Sequence, residues 1–295
     1  MAKNNFNKSK STDIPKFIIK TGHFFEFIST KLATLYAAKL FTTPIKHKIP
    51  ARELEMDKNS FQTVLNVPEI NKQIVVYNYG NSSKKVLLVH GWSGRGTQLF
   101  KIADELLKND FATISFDAPA HGKSAGKNTI MVEFIESILE IDRKFGPFDT
   151  VIGHSLGGMA LMNAMNMGLK TNKIITIGSG NVVLDIFIEF ISKIEMNPKQ
   201  VDLLRIYFEK KYNKLMDSLS SYINVSKIKI PILVIHDEND DEIPVSCAYA
   251  IEKSFNPDVS GGKLIITKGL GHRKILGDSM VINAIIKFIK PLENA

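Results

Sequence analysis

The chain has 295 residues, 44% of them hydrophobic and 23% charged, with a formal net charge of +8. That balance is ordinary for a soluble globular protein and excludes disorder of the whole chain. The single cysteine, Cys247, excludes an internal disulfide framework.

Residues 1–20 read as a flexible tail that holds much of the positive excess in Lys3, Lys8, Lys10, Lys16 and Lys20. No zinc-ligand spacing and no nuclear-localisation run accompanies these lysines, so a solvated basic tail is expected and no nucleic-acid partner. The first eleven residues are polar, and no uninterrupted apolar segment of the signal-peptide kind follows. Residues 22–42 predict one amphipathic helix, with Phe24, Phe25, Phe27, Ile28, Leu32, Leu35, Ala38 and Phe41 at helical spacing. Thr43-Pro44 stops it, since proline disfavours helical geometry in the residue before it. Glu26, Lys31 and Lys39 interrupt the stretch and make it a poor membrane span. A cytoplasmic protein is the resulting expectation. The helix is expected to pack on the main domain; contact with a membrane surface, or cover over a substrate entrance, is the alternative.

From residue 61 short β-rich runs alternate with helical ones. Strands are predicted at 61–65, 73–79, 86–89, 112–116, 150–152, 174–177, 232–235 and 264–267. Helices are predicted at 97–108, 129–145, 156–167, 246–255 and 280–289. This alternation implies an α/β fold with an eight-stranded, mostly parallel sheet flanked by helices. Residues 181–228 carry no strand signal and read as helical, most clearly at 201–214, so a small helical cap inserted into the sheet domain is expected. The expected division is 1–59 for the N-terminal tail and helix and 60–295 for the main domain with its cap.

Gly153-His154-Ser155-Leu156-Gly157-Gly158 follows a β-type run and opens a helical one. This is the G-x-S-x-G elbow in the setting that gives the motif meaning: a tight strand-to-helix turn presents the serine hydroxyl near a helix N-terminus. The competing reading is a helix N-cap serine. A serine hydroxyl needs a base within hydrogen-bond reach. Of seven histidines, His272 alone follows a strand after every candidate acid, in the chain order serine, acid, histidine that this arrangement uses. The acid is expected in the loop after the strand at 232–235, where Asp237, Glu238, Asp240, Asp241 and Glu242 crowd together and charge cannot choose. The oxyanion needs two preset donors. These are expected to be the backbone N–H of Leu156 and, from the His90-Gly91-Trp92-Ser93-Gly94 loop, that of Trp92.

With these motifs in order, the chain resembles the α/β-hydrolase family over about residues 60–290. His90-Gly91-Trp92 is similar to its oxyanion segment, Asp117-Ala118-Pro119-Ala120-His121-Gly122-Lys123-Ser124 to its D-x-P-x-H-G-x-S loop, and Gly271-His272 to its histidine loop. The family places an aspartate four residues before a V/I-P pair. This resemblance selects Asp240 as the acid, ahead of Asp241 and then Asp237, which stands where many members have glycine. What it implies is a serine hydrolase that cleaves a carboxylic ester or thioester of a small or medium acyl group, through an acyl-enzyme on Ser155, with no metal or organic cofactor. An acyltransferase or a lyase with the same triad is the alternative, and a non-catalytic binding protein the third reading. Val183, Leu184, Ile186, Phe187, Phe190 and Ile191 would either line an acyl pocket or form the core of the cap.

Overall fold

The structure is a computed structural model and describes residues 14–290. The tail expected at the N-terminus lies outside the described residues as far as residue 13; its remainder, from Lys16, is helical. The helices are α1 (Lys16–Ile28), α2 (Thr30–Phe41), α3 (Leu54–Asn59), α4 (Phe100–Lys108), α5 (Met131–Phe145), α6 (Leu156–Asn166), α7 (Val183–Lys193), α8 (Gln200–Tyr212), α9 (Ser221–Val225), α10 (Ser246–Lys253), α11 (Gly271–Lys274) and α12 (Ser279–Ile289). The strands are β1 (Phe61–Val67), β2 (Lys72–Tyr79), β3 (Lys85–Val89), β4 (Ala112–Asp117), β5 (Phe148–His154), β6 (Thr171–Ile177), β7 (Ile232–Asp237) and β8 (Lys263–Thr267).

All eight predicted strands form one sheet in the order β1-β2-β4-β3-β5-β6-β7-β8. β2 pairs antiparallel with both β1 and β4, and every other pairing is parallel. The central strands are buried along their length because helices cover both faces, which is why they read as unbroken apolar runs. One core cluster joins Val86 and Leu88 of β3, Ile152 of β5, Ile175 and Ile177 of β6 and Leu233 and Ile235 of β7 to Ile102 and Leu106 of α4 and Ile285 and Ile289 of α12. Burial of such side chains stabilises the fold by about 1.5–3 kcal/mol each relative to exposure.

The single helix expected at 22–42 is two. Ser29 is extended (φ −162°, ψ 125°); its N–H closes α1 on the Phe25 carbonyl, and its own carbonyl accepts the first bond of α2 from Ala33. α2 folds back on α1, with the Tyr36 ring 5.3 Å from that of Phe25 and its hydroxyl donating to the Ile18 carbonyl at 2.9 Å.

The chain divides into two compact units, and the division differs from the expected one. The smaller unit joins the described residues up to 41 to residues 183–216, so α1 and α2 fold with α7 and α8. His23 Nε2 hydrogen-bonds the Glu195 carbonyl at 2.7 Å, the Asn197 N–H donates to Glu26 at 2.7 Å, and Thr34 donates to Gln200 at 2.8 Å. The Phe41 ring packs against Phe187, Phe190 and Phe208 at 5.0–5.6 Å, so two of the six expected pocket or cap residues serve this unit's own packing. The larger unit spans 42–182 and the described residues from 217 onward. It takes in 42–59, expected with the N-terminal region, and 217–228, expected with the cap; there Ser221 N–H donates to the Asn181 carbonyl and Asn224 accepts from Asn166.

Candidate active site

Ser155 stands between the end of β5 and the start of α6 with φ 53° and ψ −121°, a conformation that L residues other than glycine rarely adopt. Its N–H donates to the Ile177 carbonyl at 2.9 Å, and its carbonyl accepts from Gly158. Close approach on every side explains the glycines. A Cβ on Gly153 would meet Gly157 at 2.6 Å, one on Gly157 would meet the Val89 and His90 carbonyl oxygens at 2.5–2.6 Å, and one on Gly91 would meet the Ser155 Cβ at 2.8 Å. The nucleophile expected from the sequence is thus set against the loop that follows β3. Leu156 opens α6, so its N–H is one of the helix's unpaired N-terminal donors and sits at the positive end of the helix.

The histidine and the acid meet. His272, buried at the start of α11, holds its Nδ1 2.7 Å from Asp240 Oδ2. The other carboxylate oxygen of Asp240 accepts from the N–H groups of Glu242 (2.9 Å) and Ile243 (2.8 Å). Burial pushes the Asp240 carboxyl up, but the His272 hydrogen bond and these two amides outweigh it and leave it below the usual aspartate value. An ionised Asp240 must accept, so His272 carries a proton on Nδ1, and in the neutral ring the lone pair is then the one on Nε2. Asp241 is exposed. Asp237, the third candidate, does different work at the end of β7. It accepts from Asn239 N–H (3.0 Å), Thr267 Oγ1 (2.7 Å), Leu270 N–H (3.0 Å) and Gly271 N–H (2.9 Å). Four donors on one carboxylate hold the histidine loop, and although burial raises the Asp237 carboxyl they bring it below the ordinary value.

Neighbouring histidines brace the loops. His154, the residue before the serine, hydrogen-bonds the His272 carbonyl through Nε2 at 2.9 Å, and the two rings lie 4.6 Å apart. This link ties the elbow directly to the histidine loop. A carbonyl only accepts, so His154 is protonated on Nε2; its Nδ1 is buried without a hydrogen-bond partner among the described residues. His90 donates from Nδ1 to the Gly91 carbonyl and accepts the Ala118 N–H at Nε2, and His121 accepts the Ser93 N–H at 3.0 Å. Asp117 accepts from Tyr77 Oη, Gly96 N–H and Lys123 N–H at 2.7–2.8 Å. The H-G-W and D-x-P-x-H-G-x-S segments are therefore two halves of one cross-braced loop pair beneath Trp92, whose indole lies edge-on to His121 at 5.3 Å.

Sequence reasoning missed two positioning contacts, the His154 link and the Asp237 anchor. It also missed Gly178, where φ is +57° and an added Cβ would lie 3.2 Å from His272 Nδ1 and 3.4 Å from Asp240 Oδ2. The glycine after a strand was the available signal. A further carboxylate, Glu242, stands 3.9 Å from His272 Nε2 and is held by Arg273 at 3.0 Å. Among the described residues no cluster of side chains could hold a metal ion, and no helix is long and apolar enough to cross a membrane.

A sheet of this order carrying a strand–serine–helix elbow and a histidine–aspartate pair on the loops after β7 and β8 defines an α/β-hydrolase fold. The sequence profile of the Alpha/beta hydrolase family matches residues 86–278, and the chain belongs to that family. No curated protein sequence matches it. Among solved structures, an esterase from Pyrococcus furiosus is similar at 16% identity and TM-score 0.63, over 84% of this chain and 95% of that one. An esterase from Exiguobacterium antarcticum is similar at 17% identity and TM-score 0.59, over 78% of this chain and all of that one. A bromoperoxidase from Bacillus anthracis is similar at 16% and 0.61, over 78% of this chain and all of that one. At these identities the likeness is one of fold.

Proposed function

We propose that the protein hydrolyses carboxylic esters or thioesters of small or medium acyl groups through an acyl-enzyme on Ser155. The observation that carries this reading is the 2.7 Å His272–Asp240 pair, tied through His154 to a serine in elbow geometry. In the proposed reaction His272 Nε2 takes the proton of Ser155 Oγ as that oxygen attacks the acyl carbon. Asp240 holds the ring in the Nδ1–H tautomer and stabilises the imidazolium that forms. The backbone N–H groups of Leu156 and Trp92 receive the oxyanion. Collapse of the tetrahedral intermediate breaks the bond to the leaving alcohol, which takes the proton from His272. Water then attacks the acyl-enzyme with the same base and releases the acid.

The test is turnover of p-nitrophenyl esters of graded chain length, together with labelling by a fluorophosphonate. Wild-type protein is expected to label at Ser155 and to turn over the shorter esters. Ser155→Ala is expected to lose label and at least about 10³-fold in turnover. Retention of wild-type turnover by this variant would refute the assignment. Added alcohol distinguishes an acyltransferase with the same triad, which would pass its acyl group to the alcohol in preference to water.

A further inference from the structure

The hairpin α1–α2 has its apolar residues the wrong way round for a helix pair that only packs. Its buried positions are small or polar: Gly22, Ala33, Thr34, Ala37 and Ala38. Its large apolar residues face out, with Phe17 at 69%, Phe24 at 59% and Phe27 at 90% exposure, followed by Ile28, Leu32 and Leu35. Phe17, Phe24, Phe27 and Ile28 recur at the spacing of one helical stripe, as do Leu32 and Leu35. Five of the six, all but Phe17, were among the residues that predicted an amphipathic helix packed on the main domain, and they face solvent instead. Scattered surface apolar residues need no explanation, but six large ones on two consecutive helices do.

Lys16, Lys20 and Lys31 are exposed among these side chains. Residues 1–41 hold seven lysines against Asp13 and Glu26, a net +5 of the chain's +8. Glu26 is engaged by the Asn197 N–H. An apolar stripe edged by lysines is the pattern of a helix that lies in a membrane interface. A second copy of the chain fits less well, because a two-fold contact would set the same lysines against one another.

We infer that the outer face of α1–α2 docks on the surface of an anionic lipid bilayer, phenylalanines entering the headgroup region and lysines meeting lipid phosphates. The experiment is flotation of the purified full chain with vesicles of phosphatidylcholine alone or mixed with phosphatidylglycerol. Binding is expected to be at least about tenfold greater on the anionic vesicles and to weaken as salt is added. Phe24→Ser with Phe27→Ser is expected to lower that binding by about tenfold or more while leaving soluble-ester turnover at the wild-type level, which shows the variant is folded. Met280→Ser, at an apolar residue of α12 that is 77% exposed, is expected to bind as the wild type does. Ser155→Ala is expected to bind equally well, so the membrane reading and the hydrolase reading fail separately.

Absence of flotation, equal flotation on both vesicles, or full binding by the double variant would overturn the inference. So would a dimer that dissociates in the double variant without any flotation, which would assign the face to self-association. Binding lost only when residues 1–13 are removed would assign it to the tail and would overturn it as well.

Discussion

At Gly91 an added side chain would meet the candidate nucleophile itself. The Gly91 Cα lies where an added methyl would sit 2.8 Å from the Ser155 Cβ and 3.2 Å from both the Nδ1 and the carbonyl oxygen of His154. Two of these three atoms belong to backbone or near-backbone positions in a braced turn, so the methyl must displace the loop that carries Trp92 or tilt the serine. A displacement of about 1 Å at a reacting group costs about 10²-fold in rate. Gly91→Ala is therefore expected to reduce kcat/KM on a p-nitrophenyl ester about 100-fold with a small change in melting temperature. Turnover within a factor of two of wild type would show that the two loops are less tightly set than their contacts imply. The same scale explains why the acid was hard to read from sequence. Five carboxylates fall within 237–242, and only their loop geometry separates a residue that meets imidazole from one that gathers four donors.

At the scale of elements, α12 gives the clearest balance of local and tertiary forces. Asp278 caps it by accepting from the N–H groups of Met280 (2.9 Å) and Val281 (3.1 Å), and the helix buries Val281, Ile285, Ile286 and Ile289 in the main core. Loss of a side-chain cap typically costs about 1 kcal/mol. Asp278→Ala is thus expected to lower unfolding stability by about that amount in a urea titration, with ester turnover unchanged. The central strands were legible because strands covered on both faces are written as continuous apolar runs, whereas the antiparallel, partly exposed β1 and β2 were legible as short β-rich runs. The break at Ser29 was not, because the apolar periodicity carries straight across it. Nor was the assignment of α1 and α2 to α7 and α8, since helical periodicity says that a face is apolar but not which distant segment, or which solvent, will meet it. The elbow at 153–158 and the loops at 90–94 and 269–272 were legible as turns because glycine and turn chemistry leave strong local marks. The link from His154 to the His272 carbonyl spans 118 residues and leaves none.

Over the whole molecule, buried histidines make stability depend on pH, His90, His121 and His154 most clearly and His236 in the same direction. Burial lowers His90 to about 4 and His121 and His154 to about 3, against an ordinary value of 6.5. Each stays neutral in the fold well below the pH at which it would take up a proton in the unfolded chain. The unfolded state therefore binds more protons, and stability is complete above pH 6.5 and falls as the medium is acidified toward pH 3–4. The slope is about 1.4 kcal/mol per pH unit for each such histidine. Urea midpoints measured from pH 8 to pH 4, at about one-unit steps, are expected to be level at first and then to drop steeply. A flat profile down to pH 4 would mean that these imidazoles are not held neutral.

The smaller unit is assembled from two stretches separated by 141 residues of the larger one, since its first part ends at residue 41 and its second begins at 183. A ribosome adding roughly 5–20 residues per second leaves a delay on the order of ten seconds between them. Throughout that interval the nascent hairpin has neither α7 nor α8 to pack on, and both its inner and its outer apolar surfaces are open. The order of synthesis thus gives a bilayer or a chaperone the first opportunity to hold α1–α2, before the rest of the polypeptide has left the exit tunnel.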